Sequence, residues 1–518
     1  PLRFENALLQ GLPAGRLQDQ LTVDLGRIGN VQFVRDLSGP EPRVLRGGIG
    51  VGLQEGESIP MIDEGVAANL RLQAVDIDAW DSALSRAAGV KLSPAPAAGP
   101  SSAAMTYLPT VIALRAKELQ LGGHRLHEVV SGGGREGLNW RVNLDSTELS
   151  GYFDYRQSQG LNPGRVYARL SRLNIPASAQ NEVEALLDEP PTSIPALDIV
   201  VEDLELRGKR LGRVEIEAIN RSAGAVMGGS SGGGVREWRL NKFNVIVPEA
   251  KFSAVGNWAA LGASAAANVP RVERGGRPVS ESRRTALNYT LDIANAGELL
   301  ARLGMKDIVG QGKGKLEGQL AWMGSPLALD YPSLSGQFNV NLESGQFLKV
   351  PLGGGAKLLG VLSLQSLPRR LALDFRDVFS EGFAFDFVRG DVRIEQGIAS
   401  TNNLQMKGVS AAVLMEGQAD IAKETQDLKV VVVPEINAGT ASLVAGVINP
   451  VIGLTTFLTQ MVLRQPLISA ATREFRINGS WSDPKITPVE RKSGESAHTP
   501  ISSSNSTPAN PNTPSPKP

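Results

Sequence analysis

The sequence predicts a mainly β protein with short helices, built from hairpins that recur along the chain. Three observations carry this reading. Apolar and polar residues alternate over many segments, turn residues punctuate those segments, and one pair of hairpins occurs twice. Alternation is clear in NLRLQAVDID from Asn69, GQFNVNLESGQF from Gly336, GFAFDFVRGDVRIEQG from Gly382 and SAAVLMEGQADI from Ser410. It sends apolar side chains to one face of a sheet and polar ones to the other. The 57 glycines, with Asn and Asp, suit the turns and bulges between strands.

The repeat sets the organisation of the first half. KELQLGGHRLHEV (Lys117–Val129) aligns with EDLELRGKRLGRV (Glu202–Val214), pairing Leu119 with Leu204, Leu121 with Leu206, Gly123 with Gly208, Arg125 with Arg210 and Leu126 with Leu211. Each copy continues through a Trp-Arg step, at Trp140 and Trp238, to a Gly-aromatic strand, LSGYFDY or AVGNW. Units of this kind stack side by side, each burying its apolar face against the next.

Helical patches are few. Asp78–Ala88, Asn181–Leu187 and Asn295–Gly304 fit short helices, and Asn295 is placed to cap a first turn that carries Glu298. Ser93–Ala104, Ala223–Gly234 and Arg271–Arg284 read as loops or linkers. From Lys492 the chain is rich in Ser, Thr, Asn and Pro and lacks a core-forming pattern, which predicts disorder.

Composition excludes several functions. With 518 residues the chain is too long for one ordinary core. Its 53 basic and 53 acidic residues balance, so no electrostatic footprint for nucleic acid is present. With no cysteine there are no disulfides, thiolate metal sites or cysteine nucleophiles. The only histidines are His124, His127 and His498. His124 and His127 are three apart in a strand-like segment, so they face opposite ways and are poor joint metal ligands. GQGKGKLEG from Gly310 lacks the spacing of a phosphate-binding loop and leads into a strand pattern rather than a helix. No metal, cofactor or catalytic constellation is expected, and an enzyme is not the reading. The chain opens on Pro1 rather than Met, which reads as a fragment or a processed product.

An open sheet with one apolar face must cover that face with a second layer or with a ligand. The residues alone favour a β-sandwich or stacked sheet with a filled core over a groove. The stretch Gly310–Val489 bears on the choice. GKGKLEGQLAWMGSP, LSGQFNVNLESGQFLKV, the long LLGVLSLQSLPRRLALDF, LMEGQADIAKETQDLKVVVVP and FRINGSWSDPKI resemble the C-terminal portion of the YhdP branch of the AsmA-like, bridge-like lipid-transfer proteins of the cell envelope. DIDAW (Asp76–Trp80) and the Leu-x-Leu-x-x-Gly repeats are similar to that family's middle region.

The resemblance implies an elongated, twisted, curled antiparallel β-sheet forming an apolar groove, with a C-terminal helical element. It implies a periplasmic, envelope location, with the parent chain anchored in the inner membrane and its C-terminal end toward the outer membrane. Phospholipids and the outer-membrane surface are the implied partners, and passive carriage of acyl chains along the groove is the implied function. A structural or assembly scaffold of the envelope is the alternative. On this reading Phe338, Val340 and Leu342 line one strand of the groove, Leu371, Leu373 and Phe375 a second, and Phe383, Phe385 and Phe387 a third.

The uncharged run Ile436–Leu463 looks at first like a membrane span. Asn449-Pro450 divides it, and each half would make a helix of only about 21 Å, short of the ~30 Å hydrocarbon core. Val451, Leu454, Leu458, Met461 and Val462 share one helical side with Phe457 at its edge, opposite a Thr/Gln side. These six are the expected membrane-contact residues of a helical hairpin that caps the groove. The expected divisions are a β-rich segment ending in a short helix (1–92), a linker (93–104), the repeated hairpin region (105–294), the C-terminal groove (295–434), the apolar helical hairpin (435–468), a terminal strand region (469–490) and the tail (491–518).

Overall fold

A computed structural model describes residues 3–9, 17–26, 28–54, 57–79, 104–121, 124–157, 164–175, 195–206, 208–222, 236–260, 283–326, 329–348, 383–409, 411–434, 454, 472–481 and 483–489. They form one long, curled, open sheet of 23 strands. Each strand hydrogen-bonds to its predecessor and its successor in sequence.

The chain starts with the meander β1 (Arg3–Leu8), β2 (Gln18–Asp24), β3 (Gly29–Asp36) and β4 (Arg43–Val51). The first repeat unit is β5 (Gly65–Asp76), β6 (Val111–Leu121), β7 (His124–Glu136), β8 (Asn139–Asp145) and β9 (Leu149–Arg156). The second is β10 (Arg165–Ile175), β11 (Ala196–Leu206), β12 (Lys209–Ser222), β13 (Arg236–Val247) and β14 (Ala250–Ala260). Then come β15 (Arg283–Ile293), helix α1 (Ala296–Arg302), β16 (Val309–Met323), β17 (Ser335–Phe347) and β18 (Phe383–Glu395). The sheet ends with β19 (Ile398–Gly408), β20 (Ala411–Asp420), β21 (Thr425–Pro434), β22 (Arg473–Ser480) and β23 (Pro484–Pro488).

Antiparallel pairing dominates, but β4–β5, β5–β6 and β10–β11 are parallel. A parallel step needs a connection long enough to recross the sheet, and 52–64, 77–110 and 176–195 supply it. The parallel steps recur with the repeat. Leu72 and Val75 lie beside Ala116 and Leu119 in the first unit, as Leu170 and Leu173 lie beside Val201 and Leu204 in the second. Trp140 and Trp238 then occupy β8 and β13, and Gly151 and Gly256 occupy β9 and β14.

Helix α1 fills the expected 295–304 segment. Asn295 has extended backbone (φ −148, ψ 102) and its side-chain oxygen accepts the Glu298 N–H at 3.2 Å. At the other end Arg302 pairs with buried Glu249, between β13 and β14, and donates to the Arg210 carbonyl at 3.0 Å. Lys209 donates to the Leu303 carbonyl. These bonds tie α1 back to β12, so one helix braces the same rim of several strands. The Arg302 guanidinium holds the Glu249 carboxyl below the usual carboxylate range despite its burial. The helix expected at 78–88 begins one residue early, at Ile77, where Asp76 Oδ1 accepts the Ala79 N–H at 2.8 Å. Residues 80–88, the helix expected at 181–187 and the tail 491–518 lie outside the described residues.

Ala411–Met415 and Val430–Val433 are buried on both faces, so the sheet is covered on its two sides at β20 and β21. Within the uncharged run only Leu454 is described; it is helical and 0% exposed.

Candidate functional site

The strand registers assemble the site. In a sheet, residues that lie side by side on neighbouring strands share a face. A row can therefore be followed from partner to partner across the molecule. One such row starts Val51, Leu70, Leu114, Ser131, Leu144, Gly151, Leu170. It continues Val201, Val214, Val245, Phe252, Leu291, Leu316, Val340, Gly390. No member is charged.

A second row lies two residues further along each strand. It begins at Phe4, Val23, Val31, Ile49, Ala68 and Ile112 on the first six strands. It passes through Phe153, Ile199, Phe243 and Tyr289 and reaches Phe338 and Val392 on β17 and β18. A third runs from Trp140 and Tyr155 through Leu197, Leu240 and Leu320 to Ile394. Adjacent rows are about 6.7 Å apart and adjacent strands about 4.8 Å, so the second row alone traces a floor about 80 Å long. Burial pushes the Tyr155 and Tyr289 hydroxyls above their usual range, which keeps the floor uncharged at neutral pH.

Most residues of this floor are half-buried rather than sealed. Leu70, Leu114, Leu144, Val245, Phe252, Leu291, Leu316 and Val340 all keep part of their surface accessible. A sandwich core would bury them completely. Here the packing comes from neighbours in the same curled sheet, in local clusters such as Ala168, Leu170, Val201 and Val214. The opposite face is polar from β8 to β18. Between the apolar rows the same partner-to-partner path reads Asn143, Tyr152, Arg169, Val200, Glu215, Asn244, then Ser253, Thr290, Glu317, Asn339 and Asp391. Ion pairs decorate it, including Arg169–Asp198 at 2.7 Å, Arg213–Glu215 at 2.8 Å and Arg476–Asp427 at 2.6 Å. Arg213 and Arg476 hold Glu215 and Asp427 below the usual carboxylate range. Such exposed pairs add little stability each; they keep this face wet and the other dry.

Of the residues singled out in the sequence, Phe338, Val340 and Leu342 lie together on the apolar face, where Leu342 packs against the C-terminal core. The third set does not share one face. A bulge adds a residue to β18 against β19 between Phe385 and Phe387. Beside it, Ser344 of β17 takes a positive φ of 51. Across this crease the alternation slips by one. Phe385 turns inward, 3% exposed, against Val388, Met406 and Phe347, with its ring 5.2 Å from that of Phe347. Gly345 makes the turn possible, because a Cβ there would lie 2.4 Å from the Phe385 ring. Phe387 is instead beside Glu343 on the polar face, under the Arg389 guanidinium at 3.9 Å. The backbone of Phe383 pairs with Phe347. Leu371, Leu373 and Phe375 lie outside the described residues, as do Val451, Phe457, Leu458, Met461 and Val462. Leu454 faces protein, not solvent.

The upstream floor, Val245, Phe252 and Leu291 among it, was not singled out from sequence. The signal was present in the repeat, whose two copies place Ala116 and Val129, then Val201 and Val214, at matching buried positions. His127 is engaged with Glu148, Nδ1 to Oε1 at 2.6 Å. Among the described residues no group of three or more His, Asp or Glu is arranged to hold a metal ion. The Gly310 segment is strand, part of β16. No helix among the described residues is long and apolar enough to cross a membrane.

An open sheet whose outer face is polar from β8 to β18 and whose inner face carries continuous, uncharged, half-covered rows defines the class: a β-groove protein, whose floor suits long apolar chains. The family model for the YhdP protein matches residues 5–486, and the chain belongs to that family. It is 30% identical over 211 residues to the intermembrane phospholipid transporter YhdP of Escherichia coli (strain K12). That match covers 41% of this chain and 17% of the relative, so it spans a minor part of the relative's length. No solved structure matches the chain.

Proposed function

We propose that this protein carries phospholipids between the inner and outer membranes of a bacterial envelope, holding acyl chains on the groove floor and leaving headgroups in water. The observation that carries the reading is the continuity of the uncharged rows from strand to strand. Each methylene taken out of water contributes about 0.8 kcal/mol. Because one row resembles the next, an acyl chain exchanges like contacts for like as it advances by a strand, and no deep well holds it in place. Transport of this kind is passive sliding, with direction set by supply and removal of lipid at the two ends.

Phe338, Val340, Leu342 and Phe385, with the upstream floor, are the proposed lipid-facing residues. The proposed location is the periplasm, with the parent chain anchored in the inner membrane and the C-terminal end toward the outer membrane. The six apolar residues from Val451 to Val462 are the proposed delivery element. Of these six only Leu454 is described, and it is buried. The test is mass spectrometry of the purified protein and of protein exposed to phospholipid vesicles. Bound diacyl phospholipid is expected in both. Protein that carries none and takes up none contradicts the proposal.

A further inference from the structure

The last strands of the groove face carry polar atoms that an acyl chain cannot satisfy. The third row continues past Ile394 through Ala399, Ala419, Gln426, Gly479 and Pro484, on β19 to β23. Gln426 is the only amide side chain in that row from Trp140 onward. It is 5% exposed, and neither Oε1 nor Nε2 has a hydrogen-bond partner among the described residues. One further side chain repeats the pattern. Trp481 follows β22, where its backbone N–H donates to the Glu424 carbonyl at 2.8 Å, two residues from Gln426 along the facing strand. Its indole Nε1 is also buried and has no hydrogen-bond partner among the described residues.

Buried polar groups almost always find partners, and leaving one unpaired destabilises the fold. Two such side chains, on β21 and just past the end of β22, contribute nothing to stability that apolar side chains would not supply better. Their chemistry indicates what does pair with them. Gln426 Nε2 offers two N–H donors and Trp481 Nε1 one, while Gln426 Oε1 accepts. A hydrocarbon chain has no acceptor. The linkage between acyl chain and glycerol does, in its ester carbonyls. The cluster also lies where strands turn, at the rim, which is where the linkage of a lipid with buried chains and a wet headgroup would sit.

We propose that Gln426 and Trp481 form a station for the ester linkage of a diacyl lipid, with Gln426 Nε2 and Trp481 Nε1 donating to the carbonyls. This rests on the carrier reading and deepens it: the floor is indifferent to position over most of its length and selective at this end. The experiment is a competition at one lipid per protein between a diester phospholipid and its diether analogue with the same headgroup and chains, read by native mass spectrometry. Wild type is expected to favour the ester roughly 5- to 10-fold, the equivalent of one or two hydrogen bonds. Gln426→Leu is expected to bring the ratio close to one, to leave diether binding unchanged and not to lower the melting temperature. Trp481→Phe, which removes a single N–H, is expected to reduce the ratio in part. Equal binding of ester and ether by wild type, or an undiminished preference in Gln426→Leu, overturns the station while leaving the carrier reading intact. Binding of neither lipid overturns both.

Discussion

Val340→Glu is the substitution that most sharply separates a lipid track from a passive sheet face. Val340 is half-buried in the first apolar row, between Leu316 and Gly390. Its partial exposure gives a carboxylate there a route to water, so the fold survives. A lipid crossing β17 must lift off the floor over roughly one strand spacing, about 4.8 Å, exposing about three or four methylenes. At about 0.8 kcal/mol each this adds roughly 3 kcal/mol to the barrier, or roughly 100-fold in rate. The assay is transfer of fluorescent phospholipid between vesicles, with circular dichroism to verify folding. Asn339→Glu is the matched control, one residue away on the polar face beside Asp391 and Glu317. It is expected to leave transfer unchanged. A folded Val340→Glu protein transferring at the wild-type rate refutes the reasoning, and so does equal slowing by both substitutions.

The crease in β17 and β18 predicts unequal stability losses: Phe385→Ala should cost about 3–5 kcal/mol in denaturant unfolding and Phe387→Ala well under 1 kcal/mol; similar losses would contradict the bulge. Glu249→Gln should destabilise the protein by about 2 kcal/mol through loss of the anchor of α1. Because the Glu249 pKa is depressed, the contribution of its pair with Arg302 is present above about pH 4.3 and is lost as pH falls through the folded value, so the variant should show a shallower loss of stability in acid. For His127, its hydrogen bond to Glu148 raises the imidazole pKa, so the associated stabilisation is present below about pH 6.5 and fades as pH rises through the raised folded value. An NMR titration of His127 should give a midpoint above the ordinary histidine value, and Glu148→Gln should return it.

Much of this architecture was legible because its determinants are local. Period-two alternation marked β5, β17, β18 and β20, Asn295 and Glu298 marked α1, and the Leu-x-Leu-x-x-Gly repeat marked the hairpins β6–β7 and β11–β12. What escaped depends on partners distant in sequence. Nothing within GFAFDFVRG announces that an extra residue against β19 will put Phe385 and Phe387 on opposite faces. Nor does local pattern distinguish a parallel neighbour from an antiparallel one at β5 or β10; only the length of the following connection hints at it. On the residues alone a filled sandwich was favoured over a groove, although both need one apolar face; one open, curled sheet of 23 strands decides for the groove.

The central claim is that lipid lies on the row through Val340 and not on the face of Asn339. A photoreactive amino acid placed at either position, followed by irradiation of the lipid-loaded protein and mass spectrometry of the adducts, tests it directly. Phospholipid adducts from position 340 and none above background from position 339 are the expected result. Adducts in equal yield from both, or from 339 alone, would contradict the account.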